Sequence, residues 1–404
     1  MKTKNLNRKI FALLPFFLLL ITFGLSVSAV AGAPPKNVIL LIGDGMGFEQ
    51  VKAAGMYLYG TEGALSFEDL PFQAEMTTHS ANDSITDSAA AATAMATGVK
   101  VNNGVVSMAI PGDGSELETL LEYFKALDKS TGLVTTTYIT HATPACFGAH
   151  EPSRNNTSAI ADDYLNQTLP NVLFGGGANG MSPSSAQAAG YIVVTDAAEM
   201  LALNTETVDM VSGQFGNGAL PYELDGLGSL PHLSEMAETA LMILDNDPDG
   251  FFLMVEGGLI DWACHANDLP RTVWETIEFD NAVQEVLDWA AGRTDTLIIV
   301  TADHETGGLT VVTNNNAGNY PTVTWSTTGH TGANVPVYAG GPNAELISAV
   351  IDNTDFFAVA TACLWDYDDD GDGDVDGWDL WKFIHEFDFV DIVDFAADFG
   401  GICP

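Results

Sequence analysis

Side chains that can bind metal ions follow several short apolar runs of this sequence. Continuous apolar runs of about five residues suit strands that are buried on both faces, and ligands of parallel sheets bind beyond the carboxyl ends of the strands. The side chains that follow four of these runs are, in chain order, Asp44, His141, Thr143, Glu256, Asp303 and His304. The sequence therefore predicts that carboxylate, imidazole and hydroxyl groups meet in one crevice.

Two groupings mix oxygen and nitrogen ligands. Asp261 and His265 are four residues apart, so they share one face if this segment is helical. Asp303 and His304 stand together after an apolar run, and His330 stands in a glycine-flanked turn. A carboxylate combined with an imidazole suits zinc. A single histidine is more often structural, but three beside carboxylates or glycine turns, among eight in the chain, favour metal binding.

Asp44, Thr143 and Glu256 offer oxygen atoms alone. Such a set suits a harder ion such as magnesium, which keeps several water ligands. Arg154 is one of few arginines in an acidic chain, and its planar guanidinium matches two phosphate oxygens at once. The alternative for Arg154 is an ordinary surface ion pair.

Ser88 precedes an alanine-rich segment that ends at Gly98. Alanine favours helix and glycine ends it, so Ser88 is predicted at a helix N-terminus, where backbone N–H groups favour a phosphate. The alternative is that Ser88 or Asp87 simply caps this helix.

These residues need a scaffold in which strands and helices alternate. The predicted strands are Val38–Ile42, Leu133–Ile139, Val172–Phe174, Phe251–Val255 and Leu297–Thr301. The predicted helices include Ser115–Leu127, Ser234–Leu244 and Thr272–Ala291. This alternation predicts an α/β fold with a largely parallel, doubly wound sheet and helices on both faces.

Composition and charge limit the function further. The chain has 404 residues, enough for one large domain and a small appendage, and 47% of them are hydrophobic. Its net charge of −41 repels nucleic acid, so nucleic-acid binding is excluded. An enzyme that binds phosphate in this acidic chain needs local positive charge, which metal ions supply.

The N-terminus predicts export. Basic residues precede an apolar stretch from Ile10 to Leu25, and small residues follow at cleavage spacing, so residues 1–31 are interpreted as a signal peptide. An uncleaved membrane anchor is the alternative. We expect a periplasmic or extracellular protein, with association with the cell surface as a further option. In such a compartment the four cysteines can form disulfides, but the sequence does not show which cysteines pair.

The composition becomes rich in aspartate after residue 362. Residues 363–404 therefore form a separate predicted tail, which resembles a dockerin-type calcium loop although aspartate replaces the usual final glutamate. The predicted Ca²⁺ ligands are Asp368, Asp370, Asp372, Asp374 and Asp379. The tail is expected either to dock to a cohesin-like or cell-surface partner or to form a calcium-stabilised stub closed by a Cys363–Cys403 disulfide.

Seven spaced motifs between about residues 36 and 362 resemble the alkaline phosphatase family, in the family's order. They are Ile42-Gly43-Asp44-Gly45-Met46-Gly47, Thr86-Asp87-Ser88-Ala89, His141-Ala142-Thr143-Pro144, Val255-Glu256-Gly257, Ile260-Asp261 with His265, Thr301-Ala302-Asp303-His304-Glu305-Thr306-Gly307-Gly308, and Gly329-His330-Thr331-Gly332. The resemblance implies a catalytic domain over residues 32–362 that hydrolyses phosphate monoesters. It also implies a homodimer as one option.

The resemblance further implies the role of each motif residue. Ser88 forms a phosphoserine intermediate, and Arg154 holds the phosphoryl oxygens. The implied metal ligands are Asp261, His265 and His330 for one zinc ion, Asp44, Ser88, Asp303 and His304 for a second, and Asp44, Thr143 and Glu256 for a magnesium ion.

Two positions differ from the best-known enterobacterial pattern, in which His141 is an aspartate and Trp262 a lysine. Both are expected to lie around the metal ligands, and His141 either contacts water on the magnesium or binds a different ion directly.

Phosphodiesterases and sulfatases are the rival enzymes. Sulfatases need a Cys/Ser-x-Pro-x-Arg motif, but alanines follow Ser88. A diesterase typically uses a threonine nucleophile and two metals, whereas Thr143 and Glu256 favour a third site.

Overall fold

The computed structural model describes residues 35–362. The predicted signal peptide (1–31) and the predicted calcium-loop tail (363–404), with its aspartate ligands and both of its cysteines, lie outside the described residues. The domain boundaries at these two places therefore stay predictions.

The described residues contain mostly short strands, and the central ones, β1, β7 and β8, are fully buried. The strands are β1 Asn37–Gly43, β2 Phe72–Thr77, β3 Ser130–Tyr138, β4 Val172–Gly177, β5 Ile192–Val194, β6 Val211–Asn217, β7 Phe251–Gly257, β8 Thr296–Thr301, β9 Glu305–Thr306, β10 Leu309–Thr313, β11 Thr322–Trp325, β12 His330–Thr331, β13 Val335–Gly340 and β14 Val350–Asp352.

Helices connect most of these strands. They are α1 Phe48–Tyr59, α2 Ser88–Thr97, α3 Leu120–Ala126, α4 Ala142–Gly148, α5 Thr157–Asp163, α6 Pro183–Ala188, α7 Ala197–Leu201, α8 Leu233–Leu244, α9 Leu259–His265, α10 Leu269–Ala290 and α11 Asp355–Thr361. Short 3₁₀ turns occupy Ser66–Asp69, Glu223–Asp225 and Ala344–Leu346, and a π turn occupies Tyr164–Thr168.

One ten-stranded sheet organises the domain, with the strand order β14-β2-β13-β8-β1-β7-β3-β4-β6-β5. β1 lies at the centre and pairs in parallel with both β7 and β8. β13 is antiparallel to both of its neighbours, β2 and β8. The predicted α/β fold with a largely parallel sheet is confirmed.

Helices cover both faces of the sheet, as two adjacent residues of β7 demonstrate. Successive side chains of a strand point to opposite faces. Phe251 packs against Trp289 of α10, with ring centroids 5.3 Å apart, whereas Phe252 packs against Phe124 of α3 and Phe147 of α4 at 5.7 and 5.8 Å. Both phenylalanines are 0% exposed. A strand buried on both faces must be apolar along its whole length, which explains the continuous apolar run.

Two helices begin at different residues from those predicted. The helix predicted from residue 115 begins at Leu120, because Thr119 caps it by accepting a hydrogen bond from the N–H of Glu122, whose carboxylate accepts one in return from the Thr119 N–H. The helix predicted from residue 272 begins at Leu269, where Asp268 is the cap. Capping, rather than apolar spacing, decides these starts.

No helix within residues 35–362 is both long enough and apolar enough to cross a membrane.

The packing of Phe252 gives a stability prediction. Phe252→Ala should lower the free energy of unfolding by about 3–5 kcal/mol, because it empties a site between two stacked rings. Phe48→Ala is a matched control, since Phe48 is 42% exposed and should lose roughly 1 kcal/mol or less. Urea unfolding of both variants measures the difference, and equal losses would contradict the packing described here.

Candidate active site and metal centres

The carboxyl ends of the central strands gather three acidic side chains. Asp44 follows β1, Glu256 lies in β7, and Asp303 follows β8. Since β1 pairs with both β7 and β8, the three carboxylates come from neighbouring strands, and each is 0% exposed. The parallel register thus places them together at the edge of the sheet where ligands bind.

A first cluster consists of Asp261, His265 and His330. Asp261 and His265 lie one turn apart on α9, and His330 begins β12. His265 Nε2 is 3.3 Å from Asp261 Oδ2, and His330 Nε2 is 3.6 Å from Asp261 Oδ1. The two Nε2 atoms are 3.2 Å apart, so the three donor groups point to one place.

Backbone carbonyls orient both imidazoles of the first cluster. His265 Nδ1 is 2.6 Å from the Thr328 carbonyl, and His330 Nδ1 is 2.8 Å from the Thr86 carbonyl. A carbonyl can only accept, so each Nδ1 carries a proton and each Nε2 faces Asp261. The hydrogen bond with Asp261 raises the pKa of His265 to about 9. A metal ion bound there would take the place of that proton.

A second cluster consists of Asp44, Asp303 and His304, all 0% exposed. His304 Nε2 lies 3.5 Å from Asp44 Oδ1 and 3.2 Å from Asp303 Oδ2. Asp303 Oδ1 accepts hydrogen bonds from the N–H groups of Gly45 and His304. The backbone therefore fixes one oxygen of Asp303 and leaves the other facing the cluster.

A third cluster surrounds Glu256 and shares Asp44 with the second. Its members are Asp44, His141, Thr143 and Glu256. Glu256 Oε2 accepts hydrogen bonds from the hydroxyls of Thr135 and Thr137 on β3, the latter at 3.3 Å. These threonines hold one carboxylate oxygen, so the other is free to bind an ion.

Several buried oxygens of the second and third clusters have no hydrogen-bond partner within residues 35–362. They are both carboxylate oxygens of Asp44, Oδ2 of Asp303, Oε1 of Glu256 and Oγ1 of Thr143. Burial, reinforced by the charge of Asp303, raises the pKa of Asp44 well above its ordinary value. Burial also raises the pKa of Glu256 to about 7 and that of Asp303 to about 6. Because buried polar atoms are normally paired, these donor sets fit metal cations, which supply both contacts and positive charge.

Ser88 is the first residue of α2 and is 2% exposed. The helix cap is Asp87, whose Oδ1 accepts a hydrogen bond from the Ala90 N–H at 3.0 Å. The hydroxyl of Ser88 is therefore free of the capping role, and its Oγ lies 3.3 Å from His304 Nε2 in the second cluster. This placement at a helix N-terminus favours an anionic ligand.

Arg154 faces the same crevice. Its Nη1 is 3.0 Å from Asp87 Oδ2, and its Nη2 donates to His141 Nε2 at 3.2 Å. Although burial disfavours the charged form, the Asp87 carboxylate outweighs it and raises the pKa of Arg154, so the guanidinium stays charged. Arg154 is thus a cation held by Asp87, the residue that precedes Ser88.

Comparison with known proteins decides the family. The sequence model of the alkaline phosphatase family matches residues 35–323, which is well over half of the chain. The chain belongs to the alkaline phosphatase family. It is therefore an enzyme that hydrolyses phosphate monoesters.

Individual alkaline phosphatases are similar to this chain over most of their length. Alkaline phosphatase 3 of Bacillus subtilis is 35% identical over 79% of this chain and 87% of the relative. The Escherichia coli enzyme is 31% identical over 83% of this chain and 87% of its own. A magnesium-bound variant of the alkaline phosphatase from the Antarctic bacterium TAB5 superposes with a TM-score of 0.72 at 30% identity, covering 81% of this chain and 97% of that one.

The structure brings the seven motifs of this family together. Trp262 lies at their margin, 36% exposed, with its ring centroid 6.1 Å from that of His141. Cys146 in α4 and Cys264 in α9 are buried free thiols. Burial raises the pKa of Cys146 to about 12, so it stays a thiol at neutral pH.

Several residues that position these ligands were missed from the sequence. Thr306 donates to Asp261 Oδ1 at 2.6 Å, and Asp87 anchors Arg154. Thr306 belongs to the motif that contains His304, so its nearness in sequence to two metal-ligand candidates could have indicated its role. Thr135 and Thr137 lie inside an apolar run, and no sequence pattern indicated that they point toward Glu256.

The crowded carboxylates predict how pH affects the metal-free enzyme. The pKa values of Glu256 (about 7) and Asp303 (about 6) exceed those of an unfolded chain, so the folded state binds more protons between about pH 4 and 7. The contribution of these two carboxylates to the stability of the chelated protein should therefore be largest at about pH 4 and fall by on the order of a few kcal/mol as the pH rises to 8.

Thermal unfolding with and without EDTA measures this effect. Protein saturated with Zn²⁺ and Mg²⁺ should not lose stability over that range, because cations stabilise the ionised carboxylates. A chelated protein that became more stable toward pH 8 would contradict the electrostatic account.

Proposed function

We propose that Ser88 is the nucleophile with which this enzyme cleaves phosphate monoesters. The observation that carries the proposal is the position of the Ser88 hydroxyl: it heads α2, has no capping role, and lies 3.3 Å from a histidine of the second cluster. Its oxygen attacks phosphorus while the bond to the alcohol oxygen breaks, which gives a phosphoserine. Water then cleaves the Ser88–phosphate bond, releasing inorganic phosphate and restoring the hydroxyl.

The metal complement belongs to this proposal. The first and second clusters offer imidazole with carboxylate, which suits one zinc ion each, and Ser88 completes the second set. The third cluster offers oxygens from Asp44, Thr143 and Glu256, which suits magnesium, the ion bound by the similar TAB5 variant. Such ions favour the ionised serine and offset negative charge on the phosphoryl oxygens.

Arg154 would bind two oxygens of the phosphoryl group. Asp87 holds one edge of the guanidinium, and as an N-cap it is itself fixed to the start of α2. The arginine is therefore oriented before substrate arrives, which reduces the entropy lost on binding. A planar guanidinium beside Ser88 also opposes the charge that develops on the equatorial oxygens.

His141 would act as a hydrogen-bond donor beside the third cluster rather than as a direct ligand. Arg154 can only donate, so His141 Nε2 accepts. Burial and the Arg154 charge lower the pKa of His141 to about 3, so the imidazole is neutral and its remaining proton lies on Nδ1. This buried N–H has no protein partner within residues 35–362 and would bind a water around the magnesium ion.

Replacing the nucleophile tests the proposal. Ser88→Ala, loaded with Zn²⁺ and Mg²⁺, should lose at least about 10³-fold in kcat on an aryl phosphate, because no other hydroxyl occupies that position. Ser184→Ala on the exposed surface of α6 is the matched control and should retain full activity. Near-normal turnover by Ser88→Ala at full metal content would refute the assignment.

A comparison of ester types separates the rival enzyme. With the same aryl leaving group, the monoester should have a kcat/KM at least about 100-fold above that of the methyl diester. Arg154 and the third cluster are suited to a phosphoryl group with three free oxygens. A preference for the diester would favour the phosphodiesterase reading.

The proposals about export and about the C-terminal tail rest on the sequence alone. We propose that residues 1–31 direct the enzyme to the periplasm or the exterior and that residues 363–404 bind Ca²⁺. A cohesin-like or cell-surface partner for the tail and a homodimer of the enzyme are further parts of this proposal.

A further inference from the structure

Glu223, His232 and Glu278 form a compact group that shares no residue with the three clusters of the active site. Glu223 begins a 3₁₀ turn, His232 immediately precedes α8, and Glu278 lies in α10. One ligand atom from each lies within 4.8 Å of the others. Three separate segments therefore direct donor atoms to one point.

The donor atoms of this group fall within the same 4.8 Å limit as those of the active-site clusters. His232 Nδ1 lies 2.8 Å from Glu223 Oε2, compared with 3.3 Å between His265 and Asp261. The Glu223 side chain is 10% exposed and Glu278 is 7% exposed, whereas the His232 side chain is 49% exposed. The two carboxylates are thus inside the protein, and the imidazole covers them from the solvent side.

Glu275 adds a fourth carboxylate, one turn before Glu278 on α10. It is 3% exposed, and its Oε1 accepts a hydrogen bond from the Glu223 N–H at 2.7 Å. A further buried carboxylate therefore lies against the backbone of Glu223 and adds negative charge to this group.

Positive charge is scarce around this group. Arg271 lies nearby over the ring of Tyr222, but its guanidinium is paired with Asp225 and Asp268. Within the described part of the chain, no lysine or arginine forms an ion pair with Glu223, Glu275 or Glu278. Burial and neighbouring carboxylates accordingly raise the pKa of Glu223 to about 7 and that of Glu275 to about 8.

We propose that a divalent metal ion of the zinc type binds between Glu223, His232 and Glu278. A purely oxygen site would suit calcium or magnesium, but the imidazole among the ligands favours zinc or a similar transition metal. Glu275 lies within reach of the ion's electrostatic field and is stabilised by it. The ion ties the turn after β6 to the start of α8 and to α10, and its role is structural.

Zinc binding to the full-length holoenzyme tests this site. His232→Ala, equilibrated in a zinc-buffered solution and measured by elemental analysis, should hold about one zinc ion per chain fewer than wild type. His79→Ala is the matched control, because the His79 side chain is 54% exposed and its ion-pair partner, Asp352, belongs to none of these clusters. It should keep the wild-type zinc content, and both variants should keep kcat within about twofold.

Thermal unfolding provides the second readout. Zinc added beyond saturation of the active site should raise the unfolding temperature of wild type and His79→Ala but not that of His232→Ala or Glu223→Gln. Equal zinc content in all proteins, or a loss of stability in His232→Ala that is the same with and without zinc, would show an ion pair between His232 and Glu223 instead and would overturn the proposal. Since activity is measured separately, failure here leaves the role of Ser88 untouched.

Discussion

The burial of three neighbouring carboxylates is the constraint on which the rest of this structure depends. Asp44, Glu256 and Asp303 are brought together by the parallel pairing of β1 with β7 and β8. Such a group is unfavourable without compensating charge: burial, reinforced by the charges of neighbouring carboxylates, raises the pKa of all three. The fold therefore holds these carboxylates in positions where bound cations would offset their charge. The same cations would attract a phosphate monoester to a chain with a net charge of −41.

The surrounding structure orients the ligands rather than neutralising them. Thr135 and Thr137 hold one oxygen of Glu256, the N–H of Gly45 holds one oxygen of Asp303, and two carbonyls fix the imidazoles of His265 and His330. Each contact occupies one atom of a ligand and leaves another facing inward. Supporting contacts of this kind select the orientation of a ligand in advance and strengthen metal binding.

The sequence predicted the central strands and the ligand types well, because both depend on local patterns. A strand such as β7 is buried on both faces and must be continuously apolar, and a parallel sheet then fixes where its carboxyl end points. Helix starts were less predictable, since the caps Thr119 and Asp268 decide them. The carbonyls of Thr86 and Thr328 carry no sequence signal at all, because every residue has a carbonyl and only the tertiary fold aims it.

Trapping the intermediate tests the central claim most directly. Metal-loaded enzyme would be mixed with an aryl phosphate, quenched in acid, digested and examined by mass spectrometry. The account predicts that a phosphoryl group is found on the peptide that contains Ser88, and that it disappears when quenching is delayed until the substrate is consumed and the product phosphate is removed. A phosphoryl group on a different residue, or full turnover with no trapped phosphoserine under conditions where phosphoserine survives, would contradict it.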